Sequence, residues 1–246
     1  MDQTRRARAT SFGGWADEYH RSRPSYPEAA VTWLLDDAQR VIEVGAGTGK
    51  LTDRLVHLGS AEMVVTEIDM RMLRLIGSRH PALPVHEAGA TDLPIDDGSV
   101  DAVLVADAWH WFPKEEAAAE VRRVLRPGGW LGCVWNDMAP TTPAWQWDAV
   151  RLSADIAARV WAMAPIERLG LETGLAEQAS FRWRWELTAD QFGDYTATLS
   201  HIRTLPIDEH QEAVATARQL ALDACDHEPA STLPVEFDAV CVRWQP

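Results

Sequence analysis

Three alternating glycines, Gly45, Gly47 and Gly49, are the most concentrated chemical signal in this chain. They directly follow an apolar run that ends at Val44, and leucines recur at helical spacing after them. Glycine permits positive φ and lets a ligand approach the backbone with no Cβ in the way. A helix starting there offers unpaired N–H groups and positive potential. The pattern predicts a buried strand, a tight turn and a helix start that bind a nucleoside-containing ligand, a plain strand-to-helix turn being the alternative.

Acidic residues stand near the ends of the first two predicted strands. Glu43 lies two residues before the first glycine, and Glu67 and Asp69 close the next apolar run. A carboxylate at the end of the second strand can accept both hydroxyl groups of a ribose, and either Glu67 or Asp69 suits that role. The spacing departs from the G-x-G-x-x-G dinucleotide fingerprint, and no phosphate-binding G-K-[ST] follows.

One side chain that titrates near neutrality follows the fourth predicted strand, in A-D-A-W-H-W-F at residues 106–112. Ligands of open α/β sheets sit beyond the carboxyl ends of the strands, so His110 is expected near the reacting groups. A histidine titrates near neutrality and can accept a proton or bind a substrate. The alternative is a histidine that caps the following helix, with Trp109 and Trp111 in the core.

The surrounding periodicity predicts the elements that position these residues. Apolar and alternating runs predict five parallel strands followed by two antiparallel ones. The strands are expected at 41–44, 62–69, 84–88, 100–105, 130–136, 179–187 and 235–244. Helical spacing predicts helices after the glycines, at 114–125, near 189–204 and near 208–224, and within an insertion at 141–169.

Several motifs, in order, resemble the class I S-adenosylmethionine (SAM)-dependent methyltransferases. The stretch E-V-G-A-G-T-G at 43–49 resembles their first motif, and L-R-P-G-G-W-L at 125–131 resembles the turn after their fourth strand's helix. Y-x-x-x-R-P-x-Y-P at 19–27, G-A-T-D-L-P at 89–94 and A-x-H-W-F at 108–112 are similar to motifs of the methyltransferase type 11 group, which includes trans-aconitate-methyltransferase-like proteins. The resemblance covers residues 12–137.

The resemblance implies a doubly wound, seven-stranded, mostly parallel Rossmann-like α/β sheet with a small helical cap. It also implies SAM as cofactor, with S-adenosylhomocysteine (SAH) as product. It selects Glu67 over Asp69 for the ribose, leaving Asp69 as a helix N-cap, and gives Arg23 the methionine carboxylate and Tyr19 the sulfonium. The implied cofactor residues are Tyr19, Arg23, Glu43, Gly45, Ala46, Gly47, Gly49, Glu67, Ile68, Gly89, Ala90, Thr91, Ala106, Asp107 and Ala108.

The acceptor side is less sharply marked. The expected substrate residues are Trp109 and His110, with His110 as the catalytic residue. Trp145, beyond the resemblance, is a further candidate for the acceptor pocket by its residue type, and a core position is the alternative for it. The family's adenine-binding aspartate is matched here by Gly89, so Asp92, Thr91 or a backbone carbonyl is left for the adenine amino group.

The expected organisation has four parts. Residues 1–35 form a cofactor-covering segment, 36–138 the SAM-binding core, 139–178 a helical insertion or cap, and 179–246 the C-terminal completion of the sheet. The expected function is methyl transfer from SAM to a small-molecule acceptor by in-line displacement. A catalytically silent SAM- or SAH-binding protein and an NAD-dependent oxidoreductase are the alternatives, the latter opposed by the glycine spacing.

Composition restricts the partners and the compartment. A net charge of −14 opposes non-specific binding to nucleic acid. No apolar run is long enough for a membrane span, and no signal peptide is recognised at the N-terminus. Cys133, Cys225 and Cys241 are widely spaced and fit a reducing compartment. We therefore expect a cytoplasmic monomer or homodimer without nucleic-acid, membrane or metal partners.

Overall fold

A single seven-stranded sheet organises the chain in the computed structural model, which describes residues 15–59, 62–151, 163–171 and 174–246. Its strand order is β3-β2-β1-β4-β5-β7-β6, with β1 to β5 parallel and β7 antiparallel to both of its neighbours. The strands are β1 (Arg40–Val44), β2 (Glu62–Glu67), β3 (Val85–Glu87), β4 (Val100–Ala106), β5 (Leu125–Met138), β6 (Leu175–Leu187) and β7 (Leu233–Gln245). The predicted doubly wound, mostly parallel sheet is confirmed.

Helices flank the sheet and connect its strands. In the described residues they are α1 (Ala16–Ser22), α2 (Glu28–Leu35), α3 (Lys50–Leu58), α4 (Met70–Arg79), α5 (Lys114–Val124), α6 (Ala144–Ala149), α7 (Ala189–Ala197), α8 (Ser200–Arg203) and α9 (Ile207–Ala224). Two 3₁₀ turns lie at Trp109–Trp111 and Pro165–Leu169. None of these helices is both long and apolar enough to cross a bilayer.

The core follows from strand alternation, since successive side chains of a strand point to opposite faces. In β1, Val41 packs with residues of α2, α3 and α4, whereas Ile42 packs with residues of α5. A third apolar cluster joins α6, α7 and α9 to one end of β6 and β7, with Phe192 at its centre. This third cluster supports the chain segment that follows α7.

The predicted helix near 189–204 is interrupted. It begins at a capping box in which the Thr188 hydroxyl accepts from the backbone of Gln191, and α7 ends at Ala197 before α8 begins at Ser200. The Thr198 hydroxyl donates to the Tyr195 carbonyl at 2.6 Å, and the Thr196 hydroxyl donates to Phe192 at 2.9 Å. Such back-bonding competes with the helical pattern and accompanies the break.

The fifth strand begins earlier than predicted. Its pairing with β4 moves from Leu125 opposite Val100 to Trp130 opposite Ala102, so the predicted turn at 126–129 is looped out within the strand. Arg126 pairs there with the buried Asp101 carboxylate at 2.7 Å. That carboxylate also accepts from the backbone of Gln39 at 2.6 Å and thus anchors the start of β1.

Candidate active site

A cavity of about 600 Å³ opens where β1 and β4 lie side by side, at the carboxyl ends of the parallel strands. The chain leaves β1 towards β2 on one side and returns to β4 on the other, so this is the topological switch point where α/β sheets bind ligands. Most of the predicted site residues line it. They are Tyr19, Arg23, Gly45, Ala46, Gly47, Glu67, Ile68, Gly89, Ala90, Thr91, Ala106, Asp107, Ala108 and His110.

The glycine turn forms one wall of the cavity. The N–H groups of Gly45 and Ala46 both donate to the Thr66 carbonyl, at 3.0 and 3.1 Å, which ties the turn to β2. Gly49 caps α3 and packs against Ile76, so it supports the turn without lining the cavity.

Glu67 is buried at the end of β2 and fixed by three backbone N–H groups. Its Oε1 accepts from Ile68 at 2.7 Å and Asp69 at 2.9 Å, and its Oε2 accepts from Gly47 at 2.7 Å. Burial raises the pKa of the Glu67 carboxyl, and the three donors oppose that rise. Because a carboxylate oxygen can accept two hydrogen bonds, Oε2 retains capacity for a ligand hydroxyl.

Asp69 has a different role. Its side chain accepts from the Arg71 backbone at 2.9 Å as the N-cap of α4 and pairs with the Arg71 guanidinium at 2.8 Å. The predicted N-cap is therefore confirmed.

A cation and three aromatic or acidic groups face each other across the upper part of the cavity. The Arg23 guanidinium carbon lies 5.4 Å from the Tyr19 ring centroid. The Tyr26 hydroxyl donates to Asp107 Oδ2 at 2.8 Å. Burial would lower the pKa of Arg23, but Tyr19, Tyr195 and Asp107 outweigh it and raise that pKa. Arg23 therefore stays charged and available to an anionic ligand group.

His110 lies on the 3₁₀ turn after β4, with its ring 4.9 Å from that of Trp111. Burial in the cavity, together with the cations of Lys114 and Arg23, lowers the pKa of His110 to about 4. The imidazole is consequently neutral at neutral pH. It can exchange hydrogen bonds with an acceptor, but it is a weak proton acceptor.

Four predicted site residues do not line the cavity. Gly49 is described above, and Glu43 is buried within β1, where its Oε2 accepts from the Thr52 hydroxyl at 2.6 Å. Burial raises the pKa of Glu43 to about 8. Trp109 is buried with its indole donating to the Leu169 carbonyl at 2.9 Å, and Trp145 packs 5.3 Å from Phe192 in the third cluster. Both tryptophans are therefore held by core contacts, which is the alternative that the sequence left open for them.

Several lining residues were not predicted from the sequence. Lys50 follows the glycine turn directly, a position that could have been flagged from the sequence. Asp137, at the end of β5, lines the cavity and pairs with Arg168 at 2.6 Å. The stretch 198–201 comes from the break between α7 and α8, and no sequence signal marked it.

His201, in that stretch, has an assignable tautomer. Its Nε2 lies 2.7 Å from the Val150 carbonyl, an acceptor, so Nε2 carries the proton and Nδ1 is left as an acceptor. None of the described residues of 139–178 lines the cavity, but Val150 and Arg168 contact the lining residues His201 and Asp137. The expected capping role of 139–178 stays a prediction, since 152–162 and 172–173 lie outside the described residues.

Known proteins resemble this chain along its whole length. The family described as "Methyltransferase domain" matches residues 42–133. An uncharacterized methyltransferase of Mycobacterium tuberculosis is 37% identical over 247 residues, covering 99% of this chain and 98% of that protein. A phthiotriol/phenolphthiotriol dimycocerosates methyltransferase of Mycobacterium ulcerans is 32% identical over 138 residues, covering 54% of this chain and 50% of that one. A solved structure titled as a candidate type II methyltransferase from Anaeromyxobacter dehalogenans aligns with a TM-score of 0.67 at 26% identity, covering 90% of this chain and 97% of that one.

Proposed function

Because this chain belongs to the class I SAM-dependent methyltransferases, we propose that it transfers a methyl group from SAM to a small-molecule acceptor. The observation that carries the proposal is the position of Glu67. Its carboxylate lies at the switch point, fixed by the glycine turn through Gly47, and one oxygen keeps hydrogen-bonding capacity. That arrangement suits one hydroxyl of a ribose.

The chemistry of the other lining residues fits the rest of SAM. Arg23 supplies a fork of donors for a carboxylate, and the Tyr19 ring offers a face that attracts a cation such as the sulfonium. Gly89, Ala90 and Thr91 place backbone groups on the wall where the adenine is proposed to lie. Glu43 and Gly49 are proposed to act indirectly, by shaping the glycine turn.

SAM, when bound, supplies a methyl group that is already activated on a sulfonium. The protein's own residues therefore need to bind, orient and exclude water, and positioning alone can supply effective molarities of about 10⁵ M or more. His110 is proposed to hydrogen-bond the acceptor. Its low pKa makes proton abstraction by His110 at neutral pH inefficient.

The acceptor is proposed to be a small molecule that enters past Trp111 and the stretch 198–201. The relative from Mycobacterium ulcerans is named for action on phthiotriol and phenolphthiotriol dimycocerosates, which supports a non-macromolecular acceptor. The free Cys133, Cys225 and Cys241 support a cytoplasmic location.

Glu67→Ala tests the cofactor assignment through isothermal titration with SAH. We expect the wild type to bind SAH and the variant to bind at least tenfold more weakly, about 1.4 kcal/mol, because a ribose hydroxyl loses its acceptor. Glu87→Ala is the matched control, since Glu87 is an exposed acid at the end of the neighbouring β3 and does not line the cavity.

Two outcomes would count against the proposal. Absence of SAH binding to the wild type contradicts SAM dependence. Equal SAH affinity in Glu67→Ala and the wild type removes the ribose role of Glu67. SAH binding without methyl transfer to any acceptor would instead favour a catalytically silent SAM- or SAH-binding protein.

A further inference from the structure

Two cationic side chains that line the cavity, those of Arg23 and Lys50, form no ion pair with a carboxylate in the part of the chain that the structure describes, although Asp107 and Asp53 lie near enough to favour their charged forms. Neither Arg23 nor Lys50 forms an ion pair or a side-chain hydrogen bond within residues 15–59, 62–151, 163–171 and 174–246. They lie close enough for the charge of Arg23 to lower the pKa of Lys50. Two like charges that line the same cavity and have no ion pair of their own predict that a ligand anion binds near them.

The acid nearest to Lys50 along the helix is already occupied. Asp53, one turn further along α3, lies 2.6 Å from His80 Nε2, 3.3 Å from the Arg79 guanidinium and 3.4 Å from His20 Nε2. Three other groups therefore already contact the Asp53 carboxylate. The Lys50 ammonium is available to bind a ligand in the cavity.

We propose that Lys50 is a second cationic contact, together with Arg23, for the carboxylate of the SAM methionine moiety. The inference rests on the proposed function and adds a residue to it. A carboxylate has about four lone-pair sites, of which an arginine fork fills two, so an ammonium can bind a remaining one. Binding the anion also relieves the repulsion between the two cations.

A pH dependence follows, because Lys50 is titratable in a range where arginine is not. Burial, Arg79 and Arg23 lower the pKa of Lys50 to about 8, and Asp53 opposes them. The other titratable groups of this neighbourhood are His20 from α1, on which the Lys50 charge acts, His80 directly after α4, which contacts Asp53, and Tyr19 and Glu67, which line the same cavity. A bound carboxylate favours the charged ammonium and raises its pKa, so affinity should be greatest below pH 8 and fall as the pH rises through it.

The test is calorimetric titration with SAH and with 5′-methylthioadenosine, which lacks the amino-acid moiety, at pH 7 and pH 9. We expect Lys50→Met to weaken SAH binding about tenfold at pH 7, in the range of a hydrogen bond to a charged group. Binding of 5′-methylthioadenosine should change less than about twofold. Arg54→Met is the matched control, since Arg54 is a cation on the same helix that does not line the cavity.

Lys50→Arg tests the role of the proton separately. It should keep SAH affinity at pH 7 and lose less affinity than the wild type between pH 7 and pH 9, because its charge persists. Any loss of SAH affinity between pH 7 and pH 9 that both proteins share is attributed to deprotonation of the SAH amino group. The comparison of Lys50→Arg with the wild type also tests the role of Lys50 if Lys50→Met does not fold.

The outcomes separate this inference from the proposed function. Unchanged SAH affinity in Lys50→Met, an equal loss for 5′-methylthioadenosine, or identical pH curves for Lys50→Arg and the wild type would each overturn the role of Lys50 and leave SAM binding standing. Failure of the wild type to bind SAH would instead overturn the proposed function, and the inference with it.

Discussion

The glycines of the turn after β1 share a left-handed backbone but differ in their surroundings. Gly45 has φ +69°, and a Cβ there would lie 2.9 Å from the Phe112 ring and 3.1 Å from the Ala108 Cβ. Gly47 has φ +57° and nothing within 4 Å of the corresponding position. Packing within the protein requires a glycine at position 45, whereas a Cβ at position 47 would project into open space at the edge of the cavity.

Exchanging each of these glycines for alanine should separate folding from binding. Both variants place an alanine in the left-handed region, at about 1–2 kcal/mol. Gly45→Ala adds an overpacking penalty of about 1–3 kcal/mol because Phe112 must move. We therefore expect a larger loss of unfolding free energy, measured in urea, for Gly45→Ala than for Gly47→Ala.

Titration with SAH is the second measurement on the Gly45→Ala and Gly47→Ala variants. Gly47→Ala should weaken SAH binding by more than its modest effect on stability suggests, because the new methyl group occupies ligand space. Equal unfolding free energies for the two variants would show that Phe112 yields without penalty. Unchanged SAH affinity in Gly47→Ala would place the cofactor elsewhere in the cavity.

At the scale of elements, polar contacts anchor α1 and the residues after it to the elements that surround the site. His20 Nδ1 lies 3.3 Å from the Thr48 hydroxyl, and its Nε2 faces Asp53. Further on, the Asn136 amide donates to the Ser25 carbonyl at 2.8 Å, and Tyr26 donates to Asp107. These contacts join the segment to α3 and to the ends of β4 and β5, and so hold Arg23 over the cavity.

The attachment of α1 should weaken in acid through His20. Burial, then Lys50 and Arg79, lower the pKa of His20 from 6.5 to about 4. Between those values the unfolded chain binds a proton that the folded one does not, so the stability that His20 contributes is complete above pH 6.5 and is lost as the pH falls towards 4. From pH 7 to pH 5 the wild type should lose about 2 kcal/mol more unfolding free energy than His20→Gln.

Urea unfolding of both proteins at the two pH values provides the measurement. Glu43 has a raised pKa and acts in the opposite sense, but it is present in both proteins and cancels in the comparison. Parallel losses of stability in the wild type and in His20→Gln would mean that His20 is protonated as readily in the folded protein as in the unfolded chain.

For the whole molecule, the fold was largely predictable from the sequence. Short apolar runs bounded by turns located the parallel strands, and strict alternation in A-S-F-R-W-R-W-E-L located β6. The bulge at 126–129 and the break after α7 depended on partners distant in sequence, such as Asp101, or on side-chain bonds to the backbone. Periodicity does not encode such contacts.

The candidate site was predictable where one chain segment carries the chemistry. Glu67 and the glycine turn lie on strand ends that meet at the switch point, so their placement followed from topology. The stretch 198–201 is positioned at the cavity by the packing of α7 and α9 on the late strands and by the contact of His201 with Val150. Trp109 and Trp145 were predicted to contact the substrate because tryptophan often lines such pockets, but in the structure both contact core residues.

The late strand β7 offers a test of whether the sheet is one cooperative unit. It lies between β5 and β6, and Trp244 pairs with Leu131 near the amino end of the regular part of β5, away from the cavity at the carboxyl ends. Trp244 is 1% exposed, and the Arg122 guanidinium lies 4.9 Å from its ring. Trp244→Ala should therefore reduce the unfolding free energy by about 3–5 kcal/mol, a large part of a typical domain's stability.

The control for this variant is Gln245→Ala, which changes the next residue, an exposed one, and should leave the unfolding free energy within about 0.5 kcal/mol of the wild type. If the sheet unfolds as a unit, Trp244→Ala gives a single urea transition at lower midpoint, followed equally by far-ultraviolet circular dichroism and by the loss of SAH binding. In its folded state the variant should bind SAH with wild-type affinity, because the substitution lies at the opposite end of the strands. Two separate transitions would instead show that β6 and β7 unfold independently of the parallel strands that carry the cavity.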